Sequence, residues 1–288
     1  MCSLLGYSRQ AYYDHQKHHC KQQYEEELVI QEVLRHRRLQ GSVGTRKLLL
    51  MIKDFTQNHH IDLGRDRFFS LLREQGLLVR ARKRKAVTTF SHHLYRKYKN
   101  LIRDYSPLAP NLLWVSDITY ITTKTGFSYL SLITDAYSRK IVGHCLFPTL
   151  AAAGSVKALE MALLNNKTGS NLIHHSDRGI QYCCDDYVSR LNKMDIKISM
   201  TENGDPLENA IAERVNGILK TELLQDVYQD FNAAKEGVTA AIEIYNSVRL
   251  HSSCDMLTPE AAHLKSGPLK KHWKNYYRKP RNKTELVE

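Results

Sequence analysis

Three carboxylates stand apart from the other acids of this 288-residue chain. Asp117 lies inside the apolar run LLWVSDITYITT, where an unpaired charge is costly. Asp177, in HHSDRGIQY, comes just where a short apolar segment ends, and functional groups of open α/β sheets collect at such strand ends. Glu213 belongs to ENAIAERVNGILKTE. At helical spacing Glu213, Asn216 and Lys220 fall within about 40° of Asn209, while Ile211, Val215, Ile218 and Leu219 fall on the other side. Alone, that stretch is an amphipathic surface helix with a solvated stripe. Beside a buried Asp and a strand-end Asp, the stripe gains a use. Three carboxylates on adjacent elements suit Mg²⁺ or Mn²⁺, which favour oxygen ligands and leave room for water and phosphate. Two such ions about 3.5–4 Å apart can activate a water or 3′-hydroxyl and stabilise the leaving oxygen of an in-line phosphoryl displacement. Enzymes acting on nucleic-acid phosphodiesters need that chemistry.

The elements that must hold these acids are legible in outline. LLWVSDITYITT, FSYLSLITDAYS and KIVGHCLF are rich in β-branched and aromatic residues and read as three successive antiparallel strands. Residues 151–164 read as a helix, NLIHHS as a short strand, 185–193 as a helix and 196–200 as another strand; long helices are expected over 208–224 and 232–245. Three strands followed by alternating helix and strand make a mixed α/β sheet with helices on its faces. Upstream, YEEELVIQEVLRHRRLQ is dense in helix formers, TRKLLLMIKDF places Leu48, Leu49, Ile52 and Phe55 on one helical face, and GRDRFFSLLREQG ends at Gly76, a helix C-terminus. Two short amphipathic helices joined by a compact turn fit a helix-turn-helix, and equally a plain helical hairpin. Arg65 and Arg67 on the second helix could reach base edges, and Arg80, Arg82, Lys83, Arg84 and Lys85 could contact phosphates. The expected organisation is a helical segment over 1–40, the helix-turn-helix over 41–85, a linker over 86–110, the α/β core over 111–265 and a basic tail over 266–288.

Charge is divided along the chain. Residues 1–105 carry 21 Lys and Arg against 10 Asp and Glu, residues 106–265 carry 14 against 18, and residues 266–288 carry 7 against 2. An acidic middle between basic ends suggests that polyanion binding is delegated to the flanks, with nucleic acid the favoured partner. The composition, 42% hydrophobic and 25% charged, is that of a globular protein and excludes a disordered or fibrous chain. The longest uncharged stretch, 141–156, falls short of the roughly 20 apolar residues of a membrane span. MCSLLGYSRQ lacks a basic flank followed by an apolar run, so no signal peptide is expected. Six cysteines without a C-x-x-C pair read as reduced thiols, and His18-His19-Cys20 lacks a second ligand pair at zinc-finger spacing.

WVSDITYI, HHSDRGIQY and ENAIAERVNGILKTE resemble the three signature blocks of the retroviral-integrase-like DDE transposases. The resemblance is closest to bacterial insertion sequences whose transposase is encoded in two overlapping reading frames. The 35 residues between Asp177 and Glu213 match that group's spacing, and Lys220 stands where it places a basic residue. YNSVRLHSSCDMLTPEAA resembles its Tyr-Asn…Arg…His…Thr-Pro block, and residues 41–82 its helix-turn-helix. The resemblance implies an RNase H-like integrase catalytic core, a mixed five-stranded sheet with flanking helices, preceded by an α-helical helix-turn-helix domain. It implies Asp117, Asp177 and Glu213 as catalytic and metal ligands for two Mg²⁺ or Mn²⁺ ions, Lys220 as a DNA contact, and Trp114, Thr119, Gly179, Gln181, Tyr182 and Asn209 in support. Glu208, where Asp is common, and Leu250, where Pro is frequent, depart from the pattern without touching the triad.

The activity so implied is cleavage of transposon ends and strand transfer by a DNA transposase. Expected partners are terminal inverted repeats, target DNA, further copies of the chain on DNA, and a first-frame protein bound or fused to it. The expected location is the bacterial cytoplasm, associated with the nucleoid and without a membrane. Two alternatives stay open, a metal-dependent nuclease without strand transfer and a catalytically inert DNA-binding relative.

Overall fold

A computed structural model describes residues 8–79, 95–103, 105–165, 171–202 and 206–272, which form two compact units. The first is helical. Helix α1 (Arg9–Leu39) starts far upstream of the expected helix, capped by the Ser8 hydroxyl accepting from Ala11 N at 3.0 Å. The TRKLLLMIKDF stretch is two helices, α2 (Thr45–Met51) and α3 (Lys53–Asn58), because the backbone at Ile52 leaves helical geometry. After a connector, α4 (Arg65–Glu74) ends as expected, with Gly76 at a φ of 64° where a side chain would be strained. Val29 and Val33 of α1, Leu48, Ile52, and Phe68, Leu71 and Leu72 of α4 form the core of this unit. The basic residues Arg80, Arg82, Lys83, Arg84 and Lys85 lie outside the described residues.

The second unit is built on a sheet of five strands, β1 (Leu113–Thr123), β2 (Gly126–Asp135), β3 (Ile141–Phe147), β4 (Ile173–Ser176) and β5 (Lys197–Met200), in the order β3-β2-β1-β4-β5. The first three are antiparallel, while β4 runs parallel to β1 and β5 parallel to β4. This is the mixed sheet expected of an RNase H-like core. One face is covered by α5 (Ala152–Asn165), whose Ser155 meets Ser131 of β2, and by α7 (Asp185–Lys193), which places Tyr187 and Leu191 in a core with Trp114, Ile133 and Leu159. A short helix, α6 (Ile180–Cys183), precedes α7. The other face receives α8 (Ala210–Ile218), where Ala212 packs with Leu113 and Val115. The long helix expected over 208–224 is in fact three pieces: a 3₁₀ turn (Pro206–Asn209), α8, and a π turn (Leu219–Leu223).

Two flanking segments belong to this unit by hydrogen bonds. Leu101 N donates to Ser199 Oγ at 2.9 Å and Asn100 N to Glu202 Oε1 at 3.1 Å, so part of the proline-bearing linker runs along β5. Downstream come α9 (Phe231–Ser247) and α10 (Pro259–His263), the latter capped by Thr258 with Pro259 in its first turn. Arg249 and His251 of the Tyr-Asn…Arg…His…Thr-Pro block are buried, so that block is a structural closure of the unit. Gly267 N then donates to Leu108 O at 2.8 Å. The five described cysteines are free thiols. Among the described residues no helix is long and apolar enough to cross a membrane.

Candidate active site

The central strand loses a neighbour partway along its length. β2 pairs with β1 from Trp114 to Thr123, but β4 pairs only from Leu113 to Ser116, the last partner of Ser116 being Ser176. The next residue on each strand is an aspartate, Asp117 and Asp177. Parallel neighbours run about 4.8 Å apart, so this register brings the two acids to one place, where the sheet divides. The bottom of the division is fixed from beneath. His174 Nε2 lies 2.7 Å from Ser116 Oγ and 2.9 Å from Tyr187 Oη, all three buried. Burial holds the His174 imidazole neutral, its pKa lowered to about 3.

Asp117 faces α8. Its Oδ1 accepts from Ile118 N at 2.9 Å and its Oδ2 from Asn216 Nδ2 at 2.7 Å. Its pKa is raised from 3.8 to about 7, first by burial and next by the Asp177 charge, with a smaller push from Glu213; the Asn216 and Ile118 hydrogen bonds pull the other way. The Asp177 and Glu213 charges therefore both act on Asp117. Asp177 Oδ1 accepts from Gly179 N at 3.0 Å. A Cβ on Gly179 would stand 3.0 Å from that same Oδ1 and 3.1 Å from Gln181 Oε1, tight against two side-chain ends that would have to shift. Gln181 in turn donates to Leu150 O at 2.9 Å, and Tyr182 packs into the core, its phenol pushed well above its ordinary pKa by burial and by the Tyr187, Asp117 and Asp177 charges.

Helix α8 is anchored at its start by Asn209, whose Nδ2 donates to Ser116 O at 3.0 Å. The polar stripe seen on the helical wheel is thus not solvated throughout: Asn209 and Asn216 are buried against β1, while Glu213 between them is exposed. Lys220 Nζ lies 4.0 Å over the ring of Tyr120. Thr119 follows Asp117 on the same strand face, opposite Leu130 of β2. Trp114 is in the core, donating to Asn111 Oδ1 at 3.0 Å. Sequence reasoning put Asn216 on the stripe but did not give it a partner. Among the described residues no three His, Cys, Asp or Glu side chains already form a ligating group.

In the helical unit, Arg67 donates to Asp62 O and to Glu26, so two of its nitrogens have internal partners. Arg65 pairs with its exposed neighbour Asp66, and Arg46, Arg65 and Arg73 line a depression of about 330 Å³ on the surface of that unit.

Residues 107–206 and 194–259 match two family models, each described as an integrase core domain. A Shigella sonnei protein described as the uncharacterized 31 kDa protein of insertion element IS600 is 35% identical over 268 residues, 91% of this chain and 96% of that one. Transposase InsF for insertion sequence IS3A of Escherichia coli K12 is 34% identical over 192 residues, 66% of this chain and 67% of that one. Among solved structures, a simian T-cell lymphotropic virus intasome complex aligns over 85% of this chain and 80% of its own with a TM-score of 0.49 and 17% identity. The HTLV-2 integrase catalytic core domain in complex with magnesium aligns over 55% and 99% with a TM-score of 0.45 and 17% identity. On the sequence matches, the chain belongs to the integrase-core family of bacterial insertion-sequence transposases.

Proposed function

We propose that this protein cleaves transposon ends and transfers the resulting DNA strands, with Asp117, Asp177 and Glu213 as the metal-holding catalytic triad. The observation that carries the reading is the register of the sheet: β4 leaves β1 after Ser116 and Ser176, and the next residue on each strand is an acid, Asp117 and Asp177, with the Glu213 charge also acting on Asp117. A native state gains nothing from such crowding unless something positive relieves it. The donor set fits Mg²⁺ or Mn²⁺: oxygen ligands only, on three elements, with Glu213 exposed and able to close from the open side.

When bound, two such ions supply a deprotonated water or 3′-hydroxyl and neutralise the leaving oxygen of the phosphodiester. The chain's own residues do the rest. Asn216 and Ile118 N fix the Asp117 carboxylate, Gly179 N fixes that of Asp177, and Asn209 ties the start of α8, which carries Glu213, to the β1 backbone. Lys220, one to two turns beyond Glu213, would neutralise a phosphate next to the reacting one. Arg65 and the segment from Arg80 to Lys85 would hold DNA through the helical unit, and several copies of the chain would assemble on paired ends, in the bacterial cytoplasm.

The test is metal-dependent nicking and strand transfer by Asp117→Asn, Asp177→Asn and Glu213→Gln. Each change removes a ligand charge at nearly constant volume, so each should abolish both activities while DNA binding persists. Glu208→Gln is the control and should keep substantial activity, since Glu208 accepts from Glu202 N at 2.6 Å, at the base of α8. Full activity in any triad variant removes that residue from the triad. Nicking without joining in the wild type would favour a nuclease.

A further inference from the structure

Beyond Asp117 the free edge of β1 leads to an exposed aromatic pair. β4 no longer pairs after Ser116, and a new neighbour arrives only at Thr122 and Thr123, where Tyr228 N donates to Thr122 O at 2.9 Å. Between these points Tyr120 is 37% exposed, and Phe127, diagonally across the hairpin on β2, is 58% exposed. Their rings meet edge to face with centroids 5.6 Å apart. Lys220 Nζ rests over the Tyr120 ring, 4.0 Å from its centroid, and Lys124 in the hairpin turn is exposed. Large rings held open to water beside two cations have the make-up of a nucleic-acid stacking site, in which aromatic faces take bases and the cations take phosphates.

The placement sets which part of the DNA could reach it. Tyr120 lies three residues past Asp117, roughly 10 Å along an extended strand. Stacked nucleotides of a duplex advance about 3.4 Å along its axis and those of an opened strand span more, so that distance is roughly one to three nucleotides. We propose that Tyr120 and Phe127 form a platform that stacks an unpaired base roughly one to three nucleotides from the phosphate held at Asp117. The inference rests on the DNA-cleaving reading of the acids and adds a structural requirement to it: the terminal base pairs must open. Base stacking outweighs an exposed cation–π contact, so the arriving base takes the ring face and the Lys220 ammonium moves to the adjoining phosphate. Recognition is tolerant of sequence, because every base offers a π face.

The experiment uses the full chain with two duplexes of identical sequence, one fully paired and one with mismatched terminal pairs, held uncut with Ca²⁺. A single 2-aminopurine is stepped inward from the end of each. With wild-type protein, emission at one position within roughly the first three nucleotides should depart from its neighbours, and the mismatched duplex should bind at least about five-fold tighter than the paired one. The double change Tyr120→Leu with Phe127→Leu should erase both effects, and Tyr120→Phe with Phe127→Tyr should restore them. A flat emission profile in the wild type overturns the platform, whatever the variants do. So does a leucine variant that keeps the preference. If the leucine variant does not fold, the wild-type profile and the aromatic exchange decide. Cleavage of the same duplexes in Mg²⁺ is scored separately: a wild type with the preference but no cleavage counts against the triad alone, and cleavage without the preference counts against the platform alone.

Discussion

At the scale of single residues, Asp117 is where the chemistry and the stability of the protein conflict. Its folded pKa of about 7 lies above the ordinary 3.8, so between those values the native state binds more protons than the unfolded one. Stability must then fall as pH rises through that window. Below about pH 4 both states hold the proton and nothing is lost; above about pH 7 the full penalty of an ionised, crowded carboxylate is present. Denaturant titrations of metal-free wild type and Asp117→Asn should therefore diverge with rising pH, the Asn protein gaining by up to about 4 kcal/mol between pH 4 and pH 8. Mg²⁺ should narrow the gap by stabilising the ionised form. A pH-independent difference would mean that neither burial nor the neighbouring acids raise the Asp117 pKa. The acid itself was legible because a lone charge in an apolar strand is conspicuous. Its hydrogen bond from Asn216 was not, because that contact joins β1 to a helix 99 residues later, and no local pattern encodes which strand a helical stripe will face.

At the scale of elements, periodicity located most of the core. The three antiparallel strands and the helix over 185–193 are found where expected, and the helices expected over 151–164 and 232–245 are α5 and α9 to within two residues. Tertiary packing decided the rest. The stretch over 208–224 has helical propensity throughout, yet it starts as a 3₁₀ turn and ends as a π turn, keeping Asn209 on Ser116 O and Lys220 on Tyr120. Local sequence carries no such demand. α6 is a single turn wedged between Gly179 and Cys184, too short for any periodic signal. The packing of α5 on β3 gives a sharp test. Gly143 sits beneath that helix, where a Cβ would overlap the carbonyl oxygen of Ala158 and come within 2.8 Å of Ala162 Cβ. Neither neighbour can rotate away. Gly143→Ala should therefore cost about 3 kcal/mol or more and lower the melting temperature by several degrees, whereas Gly217→Ala, with nothing within 4 Å of its Cβ, should be tolerated. An unchanged melting temperature in Gly143→Ala would show that α5 and β3 are not in such close contact.

At the scale of the whole molecule, charge and fold are divided along the chain. The full chain has a net charge of +12, but residues 95–272 carry 20 Lys and Arg against 19 Asp and Glu. Those residues also contain every strand found among the described residues, both flanking segments hydrogen-bonded to the sheet unit, and all three acids. A fragment with these bounds should fold alone, since about 180 residues suffice for a core of their own. One ending at 265 should be less stable, because it gives up the bonds of Gly267 N to Leu108 O and of Tyr137 Oη to Gly267 O. Near neutrality predicts that fragment 95–272 binds DNA weakly, with a shallower dependence of log K on log salt than the full chain, because fewer counterions are released. A cation that binds only the folded acids stabilises by about 2.7 kcal/mol at a hundred-fold excess over Kd, or roughly 5–10 °C in melting temperature for a chain of this size. Melting curves of fragment 95–272 with and without Mn²⁺ should show that shift, and Asp177→Asn should lose most of it. The variant also removes a like charge from Asp117, so in the absence of metal it should melt above the wild type at pH 8. Opposite signs with and without Mn²⁺ are what a metal-holding pair of aspartates requires. Equal Mn²⁺ shifts in both proteins would place the ion elsewhere on the fragment and leave the acids without their proposed use.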